Sequence, residues 1–271
     1  MNEIIGECRR LFQESSFAKD NLSMNETLAL LLEKQEVRYD PIILPNLTKT
    51  QRELLLGDFE RVLSGYPLGY VTGFTWFYKW RFKTLEEVLI PRCDSEVLVD
   101  QAVKLIPKGA HFLDLCTGTG CLGISVLLER PDTTATLIDI SEKAVKLAQS
   151  NAEALGVSQR CRAERLDILL GGLPSHDAII MNPPYLTKAE MADIPENVSF
   201  EPTLALFGGD DGLDFYRRFA NESTLCIFEI GSKQTQALLD IFPDGRVVFD
   251  LSRNPRVFIK PCDKSENHFR M

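Results

Sequence analysis

From about residue 110 the chain alternates short apolar runs with helix-patterned segments, and that alternation leaves few folds open. A strand that leads through a helix into the next strand makes a parallel crossover, so repeating the unit builds an open α/β sheet with helices on its faces. The spacing predicts strands over Ala110–Leu115, Thr134–Asp139, Arg160–Leu166, Asp177–Met181 and Leu225–Ile230. It predicts helices over Gly120–Glu129 and Ser141–Leu155, the second capped by Ser141. Val247–Asp250 and Val257–Ile259 read as a closing antiparallel pair.

The first 65 or so residues carry a different pattern. Ile4, Ile5, Cys8, Leu11 and Phe12 fall on one face of a helix, and Asn25–Gln35 reads as a second helix with Asn25 as its cap. A third covers Lys49–Leu63, with Leu54, Leu55, Phe59, Val62 and Leu63 inward and Ser64-Gly65 ending it. The expected domains are a small helical bundle over 1–65, suited to recognising a partner, then a β-hairpin linker over 66–90, and the α/β domain over 91–271. The linker is rich in aromatic and β-branched residues punctuated by glycine. A helix from Ser95 to about Ile106, capped by Asp94 or Ser95, opens the last domain.

A chain of 271 residues with 44% apolar content can bury one full domain and a smaller companion. Its 30 basic and 39 acidic residues leave a net charge of −9, which argues against broad electrostatic binding to nucleic acid. The seven cysteines are scattered without a Cys-x-x-Cys pair, as expected of reduced thiols in a cytoplasmic protein. His111, His176 and His268 lack ligand spacing, so no metal site is expected. There is no run of about 18 apolar residues to span a membrane, and the opening residues do not read as a secretory or transit leader. With no heptad or exposed apolar stripe, a monomer is expected.

Two motifs sit where such a sheet places its ligands, beyond the carboxyl ends of the strands. The run Ala178-Ile179-Ile180-Met181 stops abruptly at Asn182-Pro183-Pro184-Tyr185. Pro183 cannot donate to a sheet ladder and Pro184 keeps the chain extended, which fixes Asn182 at the strand tip. The Asn182 side-chain oxygen, with a neighbouring backbone carbonyl, can accept both hydrogens of a planar –NH2 group whose face Tyr185 can cover. This device presents an amide or amine nitrogen to an electrophile. Asn182, Pro183 and Tyr185 are therefore the candidate catalytic residues, and Pro184 completes the acceptor set. An ordinary strand-ending turn explains Asn-Pro alone, but not the whole tetrapeptide downstream of a glycine loop.

That loop, Cys116-Thr117-Gly118-Thr119-Gly120, follows the first parallel strand, and its glycines let the backbone bend close to a ligand. Asp139 ends the next strand about 20 positions on, placed to accept hydrogen bonds from ribose hydroxyls. The glycines are not read as the dinucleotide fingerprint G-x-G-x-x-G, so no pyrophosphate cradle is expected. Flanked by Asp114 and Asp139, the loop suits a net-cationic ligand. S-adenosylmethionine, with its sulfonium and ammonium groups, fits that description better than NAD.

With these residues in place, the chain resembles the HemK/PrmC family, methyltransferases that modify the glutamine of a Gly-Gly-Gln motif in peptide-chain release factors. The resemblance rests on the helical start, Tyr66-Pro67-Leu68-Gly69-Tyr70-Val71-Thr72-Gly73, Leu89-Ile90-Pro91-Arg92, the loop at 114–120, Asn182–Tyr185, Phe200-Glu201-Pro202, and Asp250-Leu251 with Arg256-Val257. Asn-Pro-Pro-Tyr is shared with adenine methyltransferases, so the connector and the helical start carry the substrate assignment. The resemblance implies a class I, Rossmann-like methyltransferase domain in which Cys116, Thr117, Gly118, Thr119 and Gly120 contact the methionine part of S-adenosylmethionine. It further implies that Asp139 holds the ribose, Asp167 and Ile168 flank the adenine, and Asn182 to Tyr185 hold the target glutamine. The implied partner is a release factor, with no direct nucleic-acid or membrane binding.

The sequence departs from the family pattern in three places. Cys116 stands where glycine is usual, Cys93 and Ser95 alter the segment after Pro91-Arg92, and Gly212–Phe219 reaches the Leu225 strand without the usual longer helix. The competing readings are an adenine-N6 methyltransferase acting on DNA or RNA, a ribosomal-protein glutamine methyltransferase, and a non-catalytic cofactor-binding scaffold.

Overall fold

The computed structural model describes residues 2–40 and 45–262, so His268 lies outside the described residues. Two compact units divide the chain: residues up to Thr75 together with 195–200, and residues 76–194 together with 201 onward.

Over residues 2–75 of the first unit the helices are α1 (Asn2–Glu14), α2 (Ser16–Asn21), α3 (Met24–Lys34), α4 (Lys49–Leu63) and α5 (Leu68–Thr72). Ile4, Ile5 and Cys8 pack with Leu28, Leu31, Leu55, Phe59 and Val62 into one apolar core, with Leu11 and Phe12 at its edge. Leu54 was expected inward but is 53% exposed, because it falls off the stripe that Leu55, Phe59 and Val62 define. The cap of α3 is Ser23, whose hydroxyl accepts from the Glu26 N–H, rather than Asn25. Thr48 and Gln51 form a reciprocal capping box at the start of α4.

The hairpin expected over 66–90 is shorter than its composition suggested. Pro67, with φ already at −60°, starts the helical turn of α5, and Gly73 at φ +75° stops it. Strand pairing is confined to β1 (Phe74–Phe77) and β2 (Trp80–Lys83).

The second unit is built on a seven-stranded sheet in the order β5-β4-β3-β6-β7-β9-β8. Its strands are β3 (His111–Leu115), β4 (Thr134–Asp139), β5 (Cys161–Arg165), β6 (Ala178–Met181), β7 (Leu225–Glu229), β8 (Arg246–Phe249) and β9 (Pro255–Lys260). The first five in that order run parallel, while β9 is antiparallel to both β7 and β8, as the closing pair was expected to be. The helices are α6 (Glu96–Leu105), α7 (Cys121–Glu129), α8 (Glu142–Ala154) and α9 (Thr235–Ile241), the last unanticipated. A 3-10 turn over Cys93–Ser95 leads into α6, and the Ser95 side chain makes no cap hydrogen bond.

Alternation along the central strands fills both faces. Phe112, Ile180 and Ile227 face α6 and α7, and Leu113, Met181 and Phe228 face Tyr216, Phe219 and Leu238. The segment at 212–219 is indeed short, a single helical turn over Asp214–Arg217. Even so, β7 keeps its pairing with both β6 and β9, so the shortening leaves the far edge of the sheet intact. No helix among the described residues is long and apolar enough to cross a membrane.

The strand register has one consequence for function. Leu115 pairs with both Ile138 and Met181, and Met181 pairs with Phe228. The next residues, Asp139, Cys116, Asn182 and Glu229, therefore form a row across the carboxyl tips of four adjacent strands.

Candidate active site

The loop after β3 is bent by three residues in the left-handed region, Cys116 at φ +56°, Gly118 at +56° and Gly120 at +82°. Only Cys116 pays a steric penalty there, about 1–2 kcal/mol for an L-residue. The bend is held by carboxylates. Asp114 Oδ2 accepts from Thr117 Oγ1 at 2.5 Å and from the Gly123 N–H at 3.0 Å. Asp139 Oδ2 accepts from the Gly118 N–H and its Oδ1 from the Ser141 N–H, both at 2.9 Å.

Asp114 lies fully buried behind the loop, where desolvation pushes its carboxyl up to about 7. It braces the turn and does not line the cleft, which corrects the expectation that it offers a carboxylate there. A second correction concerns the glycines: Gly118, Gly120 and Gly123 do carry the G-x-G-x-x-G spacing. A Cβ on Gly123 would come within 2.6 Å of Leu137 and 2.8 Å of Asp114 Oδ2, so close packing of α7 on the sheet accounts for the third glycine. Burial also raises Asp139 above the ordinary carboxylate range.

The loop after β6 is rigid for other reasons. Pro183 and Pro184 are buried, and the chain beyond them is clamped from outside. The Leu186 N–H donates to the Leu206 carbonyl at 2.8 Å and the Gly208 N–H to the Leu186 carbonyl at 2.9 Å. Gln234 Nε2 donates to the carbonyls of Tyr185 and Gly212 at 3.1 and 2.9 Å. Gly208 is needed at this contact, since a Cβ there would lie 2.5 Å from the Pro184 carbonyl oxygen. Asn182, at the tip of the strand, has no hydrogen-bond partner for its side chain among the described residues.

Both loops open on one cleft. Of the residues expected at the site, Cys116, Thr117, Gly118, Thr119, Asp139, Asp167, Ile168, Asn182 and Pro184 line it. Gly120, Pro183 and Tyr185 do not. Tyr185 borders a second pocket with Gln234 and Arg256, and burial pushes its hydroxyl up to about 12.

The cleft has walls that sequence patterning did not single out, Val88 of the connector, Leu122, Leu166, Leu204 and Phe215, beside Leu89 of the segment noted above. Each sits in a turn or at an element end, where periodicity carries no signal for it. Arg92, also on the wall, pairs with buried Glu201 at 2.6 Å, and Glu201 Oε1 accepts from the Ile90 N–H at 3.4 Å. That pair ties the connector to the Pro202–Ala205 wall. The residues present fit S-adenosylmethionine: a carboxylate at Asp139 for its ribose hydroxyls, Asp167 and apolar walls for its base, and a glycine turn for close approach.

A model of the methyltransferase small domain matches residues 93–198. The release factor glutamine methyltransferase of Thermodesulfovibrio yellowstonii is 35% identical, over 82% of this chain and 85% of its own length. That of Moorella thermoacetica is 39% identical over 74% and 76%. The ribosomal protein uL3 glutamine methyltransferase of Francisella tularensis is 34% identical over 73% of this chain and 67% of its own.

Proposed function

The chain belongs to the release factor glutamine methyltransferase family, S-adenosylmethionine-dependent enzymes, and from that premise we propose its reaction in atomic terms. It transfers a methyl group from S-adenosylmethionine to the side-chain amide nitrogen of the glutamine in the Gly-Gly-Gln motif of peptide-chain release factors. The observation that carries this reading is the uncommitted carboxamide of Asn182, set on the same cleft wall as Gly118 and Asp139.

The bound cofactor supplies an electrophilic methyl group on a sulfonium. In this reading Cys116–Thr119 hold its methionine part, Asp139 its ribose, and Asp167 with Ile168 its adenine. A carboxamide nitrogen is a poor nucleophile because its lone pair is delocalised into the carbonyl, so holding it in line with the donor supplies much of the acceleration. Asn182 Oδ1 and the Pro183 carbonyl accept its two N–H groups and turn its π face to the methyl. As positive charge develops on nitrogen, both acceptors bind more strongly, which stabilises the transition state over the ground state. The methylated, charged amide is acidic enough to release its proton to solvent without a strong base. Tyr185, off the cleft wall, serves here as a brace for the two prolines.

The helical part over 1–65 recognises the release factor in this proposal, with 66–90 as linker and 91–271 as the catalytic domain, working as a cytoplasmic monomer. Incubation with methyl-labelled S-adenosylmethionine and full-length release factor, ribosomal protein uL3 or DNA tests the assignment. Label should appear on the release factor and vanish when the glutamine of its Gly-Gly-Gln motif is changed to alanine. Label on uL3 or DNA alone would contradict it.

A further inference from the structure

Glu229 occupies the position beside Asn182 in the row of strand tips. Met181 and Phe228 pair across β6 and β7 and point into one core cluster, whereas Ile180 and Ile227 point into the other. Alternation returns the next pair, Asn182 and Glu229, to the Ile180–Ile227 face together. The Glu229 backbone is fixed there, its carbonyl accepting from Tyr216 Oη at 2.8 Å.

The Glu229 carboxyl is only 2% exposed, yet Oε2 has no hydrogen-bond partner, and neither does the buried hydroxyl of Ser95. Ser95, Arg256, Asp94 and Arg92 make up the electrostatic surroundings of this carboxyl, which also reach Cys121; of these Ser95, Arg92 and Cys121 line the cleft. A buried carboxylate oxygen left unpaired is costly, so its retention beneath an active-site wall calls for a partner.

The chemistry of Asn182 supplies that partner. A carboxamide has an accepting end and a donating end, separated by half a turn of one bond. To receive an N–H from the target, Asn182 must turn Oδ1 to the cleft and its Nδ2 away from it. If the group rotates, donors face donors and the acceptor is lost. We propose that Glu229 is a positioning residue that accepts a hydrogen bond from Asn182 Nδ2, locking Oδ1 toward the target amide. This rests on the acceptor role given to Asn182 above.

The assay is steady-state methyl transfer to full-length release factor, with cofactor Kd measured separately, for Asn182→Ala, Glu229→Leu, Glu229→Asp, Glu229→Gln and the double variant Asn182→Ala/Glu229→Leu. Glu229→Leu should lower kcat at least tenfold while leaving cofactor Kd within twofold. Glu229→Asp, whose carboxylate is drawn back by one methylene, should behave the same way, and Glu229→Gln should keep kcat within threefold because its amide oxygen still accepts. On the Asn182→Ala background, Glu229→Leu should cost less than twofold, because there is no carboxamide left to orient. Equal losses in both backgrounds would overturn the inference, as would full activity of Glu229→Asp alongside an impaired Asn182→Ala. Full activity of Asn182→Ala would remove the acceptor reading and this inference with it.

Discussion

Two loops leave adjacent strands at the same edge of the sheet and are made rigid in opposite ways. The loop after β3 bends through left-handed residues and is held from within by Asp114 and Asp139, which take its amides and hydroxyl. The loop after β6 is stiffened by two buried prolines and clamped from outside by Gly208, Leu206 and Gln234. The difference follows from what each must offer. The first presents backbone to a ligand and needs close approach, which glycine allows. The second presents one side chain, so its backbone can be fixed as long as Asn182 is aimed.

If the division of labour is real, variants in the two loops should dissociate. Asn182→Ala should lower kcat by roughly 10²–10³, by analogy with removing one hydrogen-bonding group aimed at developing charge, with cofactor Kd unchanged. Steady-state kinetics with calorimetric cofactor binding separates the two quantities. Asp139→Ala should do the reverse, weakening cofactor binding by about 1.5–3 kcal/mol with a smaller loss of kcat at saturation. A parallel loss of both quantities in either variant would break the comparison.

Gly208→Ala sharpens it, because the added methyl meets the Pro184 carbonyl from outside the site. Overpacking of this kind costs about 1–3 kcal/mol, and it should appear in kcat while cofactor affinity holds.

Asp114 gives a pH signature to the first loop. Its folded-state carboxyl titrates at about 7, above its ordinary value of 3.8, so the folded protein retains a proton that the unfolded chain releases. Its contribution therefore makes stability fall as pH rises from about 4 to about 7 and level off above. Asp114→Asn should flatten part of that slope in thermal unfolding between pH 5 and 8, with Glu229, also pushed up to about 7, carrying a remainder of the same sign. An unchanged slope would mean that Asp114 is ionised at no cost.

The smallest effect is expected from Cys116→Gly, which removes a left-handed strain of about 1–2 kcal/mol but adds glycine's unfolded-state freedom, about 0.5–1 kcal/mol. Thermal unfolding should show a gain of no more than about 1.5 kcal/mol, and a loss would indicate that the thiol packs usefully against the cleft.

The same contrast governs what could be read from the amino-acid order. The inner parallel strands β3, β4, β6 and β7 are buried on both faces and therefore appear as largely apolar runs, found to within a residue or so of their ends. Asn182–Tyr185 was visible because proline leaves a local, covalent mark. By contrast, the helix over Leu68–Thr72 was hidden by β-branched and aromatic residues that favour strands, until Pro67 and Gly73 are weighed as its start and stop. Leu54 was misplaced by one residue of helical phase. Leu166, Leu204 and Phe215 reach the cleft only through tertiary folding, and the Arg92–Glu201 pair joins residues more than a hundred positions apart. The position of Asp114 behind its loop depends on the depth of a side chain, which periodicity does not report.

The central claim is that Asn182 aims the target carboxamide at the methyl donor. A crystal structure with S-adenosylhomocysteine and a peptide containing Gly-Gly-Gln tests it most directly. Asn182 Oδ1 should lie about 2.9 Å from the glutamine side-chain nitrogen, on the cofactor-sulfur side of the cleft. Asn182 turned away from that nitrogen, with the glutamine bound elsewhere in the cleft, would contradict the account.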